Sequence, residues 1–156
     1  MRIALFEPEI AGNVGAVLRL AACMGAAVDL IEPMGFGWDD GRVRRTAMDY
    51  IDHVEIARHA GFDAFRTTLG SQRLVLFTTK SRESAYDFKY IADDVLLFGK
   101  ESGGVPLAVA DRCHARLRIP MRSAVRALNL ATSTALALGE ALRQTGTLPM
   151  APSRRP

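Results

Sequence analysis

The sequence predicts an α/β fold, a mainly parallel sheet with helices on both faces. Three observations lead to this prediction. The first two are that the apolar segments are short and nearly continuous and that segments with helical spacing separate them. The third is the length, because 156 residues without an internal repeat, a low-complexity block or a linker are typical of one domain. We expect that domain to cover residues 1–146 and a flexible tail to follow at 147–156.

Six short segments are predicted strands, and four of them are nearly uninterrupted runs of apolar residues. In order along the chain they are 2–6, 27–31, 53–56, 73–78, 94–99 and 115–119. A strand with one side in solvent alternates apolar and polar residues, whereas a strand buried on both faces does not. The predicted strands therefore belong to a sheet that is covered on both sides.

Five segments between or after these strands are predicted helices: 13–25, 39–47, 60–69, 106–111 and 127–144. The first places Val14, Val17 and Leu18 at helical spacing and ends at Gly25. The third is amphipathic, and the fourth is a helical turn that begins with Pro106. Small residues widen the apolar face of the last helix, so that it can pack closely on another element or on a second subunit.

Composition and charge argue against several classes of protein. The chain has no run of 18 apolar residues, so no membrane span is expected, and the first strand begins at Arg2, too early for a signal peptide. We therefore expect a cytoplasmic protein in which Cys23 and Cys113 are buried, reduced thiols. The three histidines share no spacing typical of a metal site or a catalytic triad, so no metal is predicted.

The net charge of +3 is modest, but its distribution points to an anionic partner. Arg42, Arg44 and Arg45 form a cluster, and clustered cations are what phosphate binding with counterion release requires. A solvated helix face is the alternative interpretation of this cluster. Trp38, which precedes it, either stacks on a base or plugs a groove.

Ligands of open parallel sheets bind beyond the carboxyl ends of the strands, so the loops there form the candidate site. The first loop, EPEIAGNVGAVLR, matches neither the dinucleotide-binding glycine pattern nor the phosphate-binding P-loop. Asn13 is either a helix N-cap or a site residue. Arg19 is either a surface residue or points along its helix toward the site.

Two later segments carry further candidates. In FGKESGGVP a strand runs into Gly99, and glycines at a strand exit allow a ligand to approach the backbone closely. Glu101 could accept hydrogen bonds from a ribose or an amine there, although a plain glycine-rich turn is the alternative. Asn129 lies in an otherwise apolar segment, where it either bonds the start of a helix or belongs to the site.

Three segments, in this order, resemble the three motifs of the SPOUT superfamily of methyltransferases: EPEIAGNVGAVLRLAACMG, LLFGKESGGVP and IPMRSAVRALNLATSTALALGEALRQ. The phrases IEPMGFGWDD and RVRRTAMDY narrow the resemblance to the small tRNA (cytidine/uridine-34) 2′-O-methyltransferases, which consist of the minimal domain alone. The resemblance covers roughly residues 1–146. Each motif alone is weak, but their order and the chain length make the combination specific.

The resemblance implies a sheet whose C-terminal part forms a deep trefoil knot, and it implies a homodimer. Periodicity cannot reveal a knot, so that expectation comes from the family alone. The implied cofactor is S-adenosylmethionine, bound largely by backbone groups of three loops. The matching positions are Phe77, Gly99, Glu101, Ile119, Ala127 and Leu128.

The resemblance also implies roles for the polar residues and a substrate. In related RNA ribose methyltransferases an arginine in the place of Arg19 is implicated in activating the 2′-hydroxyl group. A free guanidinium is too basic to act as a base, so Arg19 would have to be poised by the cofactor or a phosphate, or act by polarisation. Asn13 and Glu101 would orient Arg19 and the substrate, and Asn129 would shape the pocket. The tRNA anticodon loop would meet the basic residues Arg42, Arg44, Arg45, Arg122 and Arg126.

The sequence departs from the family at several positions. Many relatives have Asn at Ala16 and Ser at Ala127 and Ala131, and some have Arg at Gly103 and Tyr at Gly139. The missing hydroxyl at Ala127 affects side-chain contacts more than a pocket built from backbone. Two alternatives to methyl transfer at nucleotide 34 therefore stay open: an RNA-binding protein of the same fold that does not methylate, or a 2′-O-methyltransferase for another RNA site.

Overall fold

The structure is a computed structural model that describes residues 1–38 and 41–150. These residues form a six-stranded sheet in the order β3-β2-β1-β5-β4-β6, and every pair of neighbouring strands is parallel. The strands are β1 Arg2–Phe6, β2 Ala27–Ile31, β3 Ile56–His59, β4 Leu74–Phe77, β5 Val95–Phe98 and β6 Ala115–Leu117. The helices are α1 Ala11–Met24, α2 Gly41–Ala47, α3 Phe62–Thr68, α4 Leu107–Ala110 and α5 Leu130–Thr145, and a 3₁₀ helix spans Met48–His53.

Two apolar cores lie on opposite faces of the sheet. Alternate strand residues such as Leu5 and Leu96 join the core beneath α1, α2 and α5, while their neighbours Ala4 and Leu97 join the core with α3 and α4. Burial of both strand faces explains the continuous apolar runs in the sequence. The predicted parallel sheet with helices on both faces is confirmed.

The third strand differs from the prediction, since it spans Ile56–His59 and not 53–56. Residues Met48–His53 instead continue from α2 as a 3₁₀ helix. The observed register pairs Ile31 with His59, whose Nε2 atom lies 2.7 Å from the Oδ1 atom of the buried Asp29. A buried carboxylate needs polar partners, and neither the partner nor the register can be seen from strand periodicity.

The last helix begins at Leu130, three residues later than predicted, because Asn129 caps it. The predicted helix at 39–47 is present from Gly41 onward, and Asp39 and Asp40 lie outside the described residues. Residues 147–150 of the predicted tail have no regular secondary structure, and residues 151–156 are also outside the described part.

The prediction of two buried thiols is only partly right. Cys113 is partly buried, and burial raises the pKa of its thiol to about 11. Cys23 is exposed on α1, because it lies on the side of the helix that faces away from the sheet. None of the helices among the described residues is both long and apolar enough to cross a membrane.

The chain that follows β6 passes against the long connection between β4 and β5. The Arg118 backbone N–H donates to the carbonyl of Glu83 at 2.7 Å, and its carbonyl accepts from the N–H of Ala85 at 2.8 Å. Further on, the Oε1 atom of Gln144 in α5 accepts from the backbone N–H of Tyr90 in the same connection, at 3.3 Å. These contacts are compatible with a trefoil knot, in which the final segment passes through a loop of the chain, and the knot itself stays a prediction.

Candidate functional site

A cleft of about 630 Å³ opens at the carboxyl edge of the sheet. The strand order places β1 between β2 and β5, so the connections leave β1 and β5 in different directions and a crevice forms where they part. Loops after β1, β4, β5 and β6 line the cleft. The predicted cofactor positions all line it: Phe77, Gly99, Glu101, Ile119, Ala127 and Leu128.

The inner part of the cleft is apolar. Phe77 and Phe98 end two paired strands, and their rings stack with centroids 4.9 Å apart and planes within 12°. Ile119 and Leu130 add aliphatic surface from the segment that follows β6. A pocket with an apolar floor and a few polar groups at its mouth is typical of a site for a small organic ligand.

A tight turn after β5 forms one wall. Lys100 and Gly104 exchange two backbone hydrogen bonds, at 3.1 and 2.8 Å, and Gly104 has a φ of +69°. A Cβ atom at Gly99 would lie 2.3 Å from the carbonyl carbon of Gly104, so only glycine allows this turn to close. The Lys100 ammonium also lies 3.0 Å from the Glu7 carboxylate, which ties the turn to the loop after β1.

Three polar side chains from the three motifs form one hydrogen-bonded chain at the mouth of the cleft. The Asn13 Nδ2 atom donates to Oε1 of Glu101 at 2.8 Å, and its Oδ1 atom accepts from Nδ2 of Asn129 at 2.9 Å. The second oxygen of Glu101, Oε2, accepts from the backbone N–H of Glu9 at 2.8 Å. The sequence predicts all three side chains as site residues, and the structure brings them together across 88 and 116 positions of the chain.

These contacts decide between the alternatives for the two asparagines. Asn13 is not the N-cap of α1, because the helix begins at Ala11 and Ile10 holds the cap position. Asn129 is a cap and a partner of Asn13 at once: its Oδ1 atom accepts from the backbone N–H groups of Ala131 and Thr132 while its amide nitrogen donates to Asn13. Both amides are therefore fixed in orientation.

Of the two alternatives for Arg19, the structure of a single copy shows the surface residue. Six residues beyond Asn13 correspond to roughly 9 Å along a helix, and the Arg19 side chain is exposed. Its guanidinium contacts the Met48 sulfur at 3.5 Å and lies over the Tyr50 ring, 5.3 Å from the centroid. Within one copy of the chain, Asn13 and Glu101 bond each other and Asn129 rather than Arg19, so their role in orienting Arg19 stays a prediction.

The predicted RNA-binding arginines fall in two exposed groups. Arg42, Arg44 and Arg45 are exposed on α2, and Arg42 has an interaction partner of its own. Arg122 and Arg126 are exposed in the segment between β6 and α5, next to Ala127 at the cleft.

Trp38 packs half-buried against the core beneath α1, and the Arg58 guanidinium lies 5.6 Å from the centroid of its ring. This packing corresponds to the alternative in which Trp38 fills a groove of the protein and does not stack on a base. No group of three or more His, Cys, Asp or Glu residues that could hold a metal ion occurs in the part of the chain that the structure describes.

Sequence reasoning missed two residues of the site, Glu9 and Ser102. The Glu9 carboxylate accepts from the backbone N–H and the hydroxyl of Ser102, both at 2.7 Å, and these bonds lower its pKa below the ordinary glutamate value. The signal in the sequence was weak, because an acidic residue two positions before a helix is common at helix starts.

Comparisons with known proteins agree with this arrangement. The chain matches the SpoU rRNA Methylase family over residues 1–139. A tRNA (cytidine(34)-2'-O)-methyltransferase of Beijerinckia indica subsp. indica is 47% identical over 148 residues, which cover 94% of this chain and 92% of the relative. A solved structure described as giving structural insights into the 2-OH methylation of C/U34 on tRNA is 39% identical, with a TM-score of 0.89 over 92% of this chain and 94% of its own.

A more distant solved structure, the AdoMet-bound rRNA methyltransferase from Sinorhizobium meliloti, is 27% identical. It superposes with a TM-score of 0.84 over 91% of this chain, which spans only 55% of that longer protein. The family match extends over nearly the whole chain, and the Beijerinckia relative is matched over more than nine-tenths of both chains. The chain belongs to the SpoU rRNA Methylase family.

Proposed function

We propose that this protein transfers a methyl group from S-adenosylmethionine to the ribose 2′-oxygen of nucleotide 34 of tRNA. The observation that carries the proposal is the hydrogen-bonded chain Asn129–Asn13–Glu101 at the mouth of a cleft of ligand size. The relatives named for cytidine-34 methylation cover almost the whole chain, which supports this position over other RNA sites. A protein that modifies tRNA in this way works in the cytoplasm.

The cleft fits the cofactor. Its volume of about 630 Å³ lies within the usual range for small-molecule sites, and the Phe77–Phe98 floor suits an adenosyl group. The close approach of Gly99 to Gly104 leaves backbone groups, without side chains, on one wall. The groups that would hold the cofactor belong to Phe77, Gly99, Glu101, Ile119, Ala127 and Leu128. When bound, the cofactor supplies a methyl group on a positively charged sulfur, which is already a good electrophile.

The task of the protein is therefore to align and polarise the 2′-hydroxyl group. Among the described residues that line the cleft, Glu101 is the one acidic side chain, and its two oxygens are already held by Asn13 and the backbone of Glu9. A carboxylate oxygen accepts more than one hydrogen bond, so Glu101 can also accept from the 2′-hydroxyl. Asn13 and Asn129 each retain a second amide N–H that can donate to the ribose.

The polar groups at the mouth of the cleft argue against a protein that binds RNA without methylating it. The replacement of serine by Ala127 removes one hydroxyl from the cleft, but the three polar side chains at its mouth keep a complete set of mutual hydrogen bonds.

A homodimer would give Arg19 a role. In the same copy its side chain contacts Met48 and Tyr50 and not Asn13. Helix α5 packs on α1 and still exposes Leu136, which is 41% exposed beside small residues, so a second copy has an apolar face to cover. In such a dimer Arg19 of one copy serves the cleft of the other.

Mixing variants tests the shared site. We expect Arg19→Ala and Asn13→Ala each to lose methyl transfer, and an equimolar mixture to recover activity after subunit exchange, because mixed dimers contain one cleft with both wild-type residues. A mixture that stays as inactive as its components would contradict a site shared between copies.

The RNA surface proposed for this enzyme combines Arg44 and Arg45 of α2 with Arg122 and Arg126 beside the cleft, and Arg42 lies on the same helix as the first pair. Such exposed guanidinium groups bind phosphates without reading sequence.

The experiment that tests the proposed function is methyl transfer from labelled S-adenosylmethionine to total tRNA that lacks 2′-O-methylation at nucleotide 34, followed by mapping of the label. We expect the label on the ribose of nucleotide 34. Label at another nucleotide would move the substrate to a different RNA site, and cofactor binding without any label would support the non-methylating RNA-binding protein.

A further inference from the structure

Glu9 is held from both sides by loops of the site. Its carboxylate accepts two hydrogen bonds from Ser102, one from the backbone N–H to Oε2 and one from the hydroxyl to Oε1, both at 2.7 Å. In the opposite direction, the backbone N–H of Glu9 donates to Oε2 of Glu101 at 2.8 Å. Two consecutive residues of the turn after β5 are thereby bonded to one residue of the loop after β1.

The backbone of Glu9 is fixed on its other side as well. A Cβ atom at Gly35 would lie 2.8 Å from the Cα atom and 2.9 Å from the carbonyl oxygen of Glu9, so the loop after β2 packs directly on it. The Gly35 N–H also donates to the carbonyl of Pro8 at 2.9 Å. Because β1 lies between β2 and β5 in the sheet, Glu9 is wedged between the loops of both neighbouring strands.

We infer that Glu9 is a positioning residue for methyl transfer: by holding Ser102 it fixes the turn after β5, and thereby the carboxylate of Glu101 and the amides of Asn13 and Asn129. The inference rests on the proposed function and adds a residue to its site. Glu9 itself does not line the large cleft, so it acts on the ribose only through Glu101.

The effect of losing the Glu9 carboxylate should be local. The turn keeps its own bonds between Lys100 and Gly104 and the ion pair from Lys100 to Glu7, so the fold of the loop survives. Glu101, however, loses the restraint that its neighbour Ser102 provides. Misplacement of a reacting group by about 1 Å can cost roughly a hundredfold in rate, so a small rotation of this turn is enough to be measured.

The experiment compares Glu9→Ala and Glu9→Gln with the full-length wild-type protein, with Glu55→Ala as the matched control. Glu55 is an exposed carboxylate that pairs with Arg2 at the amino end of the sheet, away from the cleft. We measure the single-turnover rate of methyl transfer to tRNA at saturating S-adenosylmethionine, the KM for tRNA, and the number of cofactor sites per chain by calorimetry.

For Glu9→Ala we expect the rate per cofactor-binding site to fall by about tenfold to a hundredfold, with the KM for tRNA unchanged. Glu9→Gln retains one acceptor oxygen for Ser102 and should recover part of the rate. Glu55→Ala should behave as the wild type. A rate per site equal to that of the wild type, with only fewer sites, would mean that Glu9 merely supports folding and would overturn the inference.

Ser102→Ala is the milder second variant, because it removes only the hydroxyl donor. We expect a smaller loss of rate, and we expect the double variant with Glu9→Ala to be no slower than Glu9→Ala alone, since both changes remove the same contact. If the losses of rate in the two single variants add up in the double variant, Glu9 and Ser102 do not act through one contact, and the inference is overturned. A wild-type protein that labels no RNA at all would overturn the proposed function, and this inference with it, whereas an active wild type with an equally active Glu9→Ala overturns the inference alone.

Discussion

At the scale of single residues, Gly99 is the glycine at which the surrounding backbone leaves the least room for a side chain. A methyl group there would lie 2.3 to 2.6 Å from three backbone atoms of Gly104, which cannot move aside like a flexible side chain. We therefore expect Gly99→Ala to open the turn that walls the cleft and to weaken S-adenosylmethionine binding by at least about tenfold, or roughly 1.4 kcal/mol. Isothermal titration calorimetry measures this directly.

Gly103, four residues further on, is the matched control. A Cβ atom there meets only the flexible end of Lys100, at 3.8 Å, and Gly103→Ala should bind the cofactor like the wild type. Equal affinities for the two variants would mean that the turn does not shape the binding site.

Asn129 combines two functions that substitution can separate. Asn129→Asp keeps an oxygen for the N–H groups of Ala131 and Thr132, and aspartate is as good an N-cap as asparagine, but it cannot donate to Asn13. We expect an unchanged melting temperature and a large loss of methyl transfer. Asn129→Ala should lose both, with about 0.5–2 kcal/mol of stability. An active Asn129→Asp would contradict a role for the bond to Asn13, and thermal melts alongside rate measurements distinguish these results.

Single residues could be predicted where their position in a sequence motif marked them, but not where their role depends on a contact in the folded protein. Asn13 and Glu101 stood out because each follows closely after a predicted strand, and Asn129 because it is a polar residue in an otherwise apolar segment. Their pairing with one another could not be predicted, since it depends on loops that meet only in the folded sheet. The two alternatives for Arg19 could not be separated for a similar reason: helical spacing gives its distance from Asn13 but not the direction of its side chain.

At the scale of elements, the contact between α1 and α2 carries the arginine-rich helix close to the first motif. Gly15 lets the two helices touch, because a Cβ atom there would lie 2.7 Å from both the Thr46 Cβ atom and the Val43 carbonyl oxygen. We expect Gly15→Ala to force the helices apart and to destabilise the protein by about 1–3 kcal/mol. Thermal unfolding measures the loss.

Gly12 on the same helix is the control for this substitution. No atom lies within 4 Å of a Cβ built at Gly12, so Gly12→Ala should be neutral or slightly stabilising through higher helix propensity. A Gly15→Ala variant as stable as Gly12→Ala would show that the helices repack without cost.

The elements themselves were largely predictable, and the exceptions have local causes. Five of the six strands were predicted near their observed positions, four of them from apolar runs, because burial on both faces leaves a strong signal. The strand Ile56–His59 was predicted three residues too early, because its polar residues, among them His59 matched to the buried Asp29, leave no apolar run. The start of α5 was placed too early because the apolar pattern continues through residues that form the cleft wall.

At the scale of the whole molecule, topology brings the separate loops to one edge of the sheet. The strand order follows from the fold family and not from periodicity, so the shape of the cleft could be predicted only through resemblance. Charge adds a second global feature, because arginines beside the cleft and on α2 are exposed while the cleft floor is apolar.

The salt dependence of tRNA binding tests that distribution of charge. We expect the double variant Arg44→Glu/Arg45→Glu to weaken binding and to flatten the slope of log affinity against log salt by about 1 for each arginine that contacts a phosphate. The control Arg66→Glu/Arg112→Glu makes the same change of charge on the α3 side of the sheet. Identical slopes for both double variants would mean that α2 does not contact the phosphates of the tRNA.

The proposed methyl acceptor is the 2′-oxygen of nucleotide 34, and a pair of synthetic RNAs tests this most directly. Two anticodon stem-loops, identical except for ribose or 2′-deoxyribose at nucleotide 34, are incubated with the enzyme and labelled S-adenosylmethionine. We predict that the ribose form is methylated and that the deoxyribose form, which lacks only the acceptor oxygen, takes up no label. Equal labelling of both RNAs would place the methyl group elsewhere and contradict the claim.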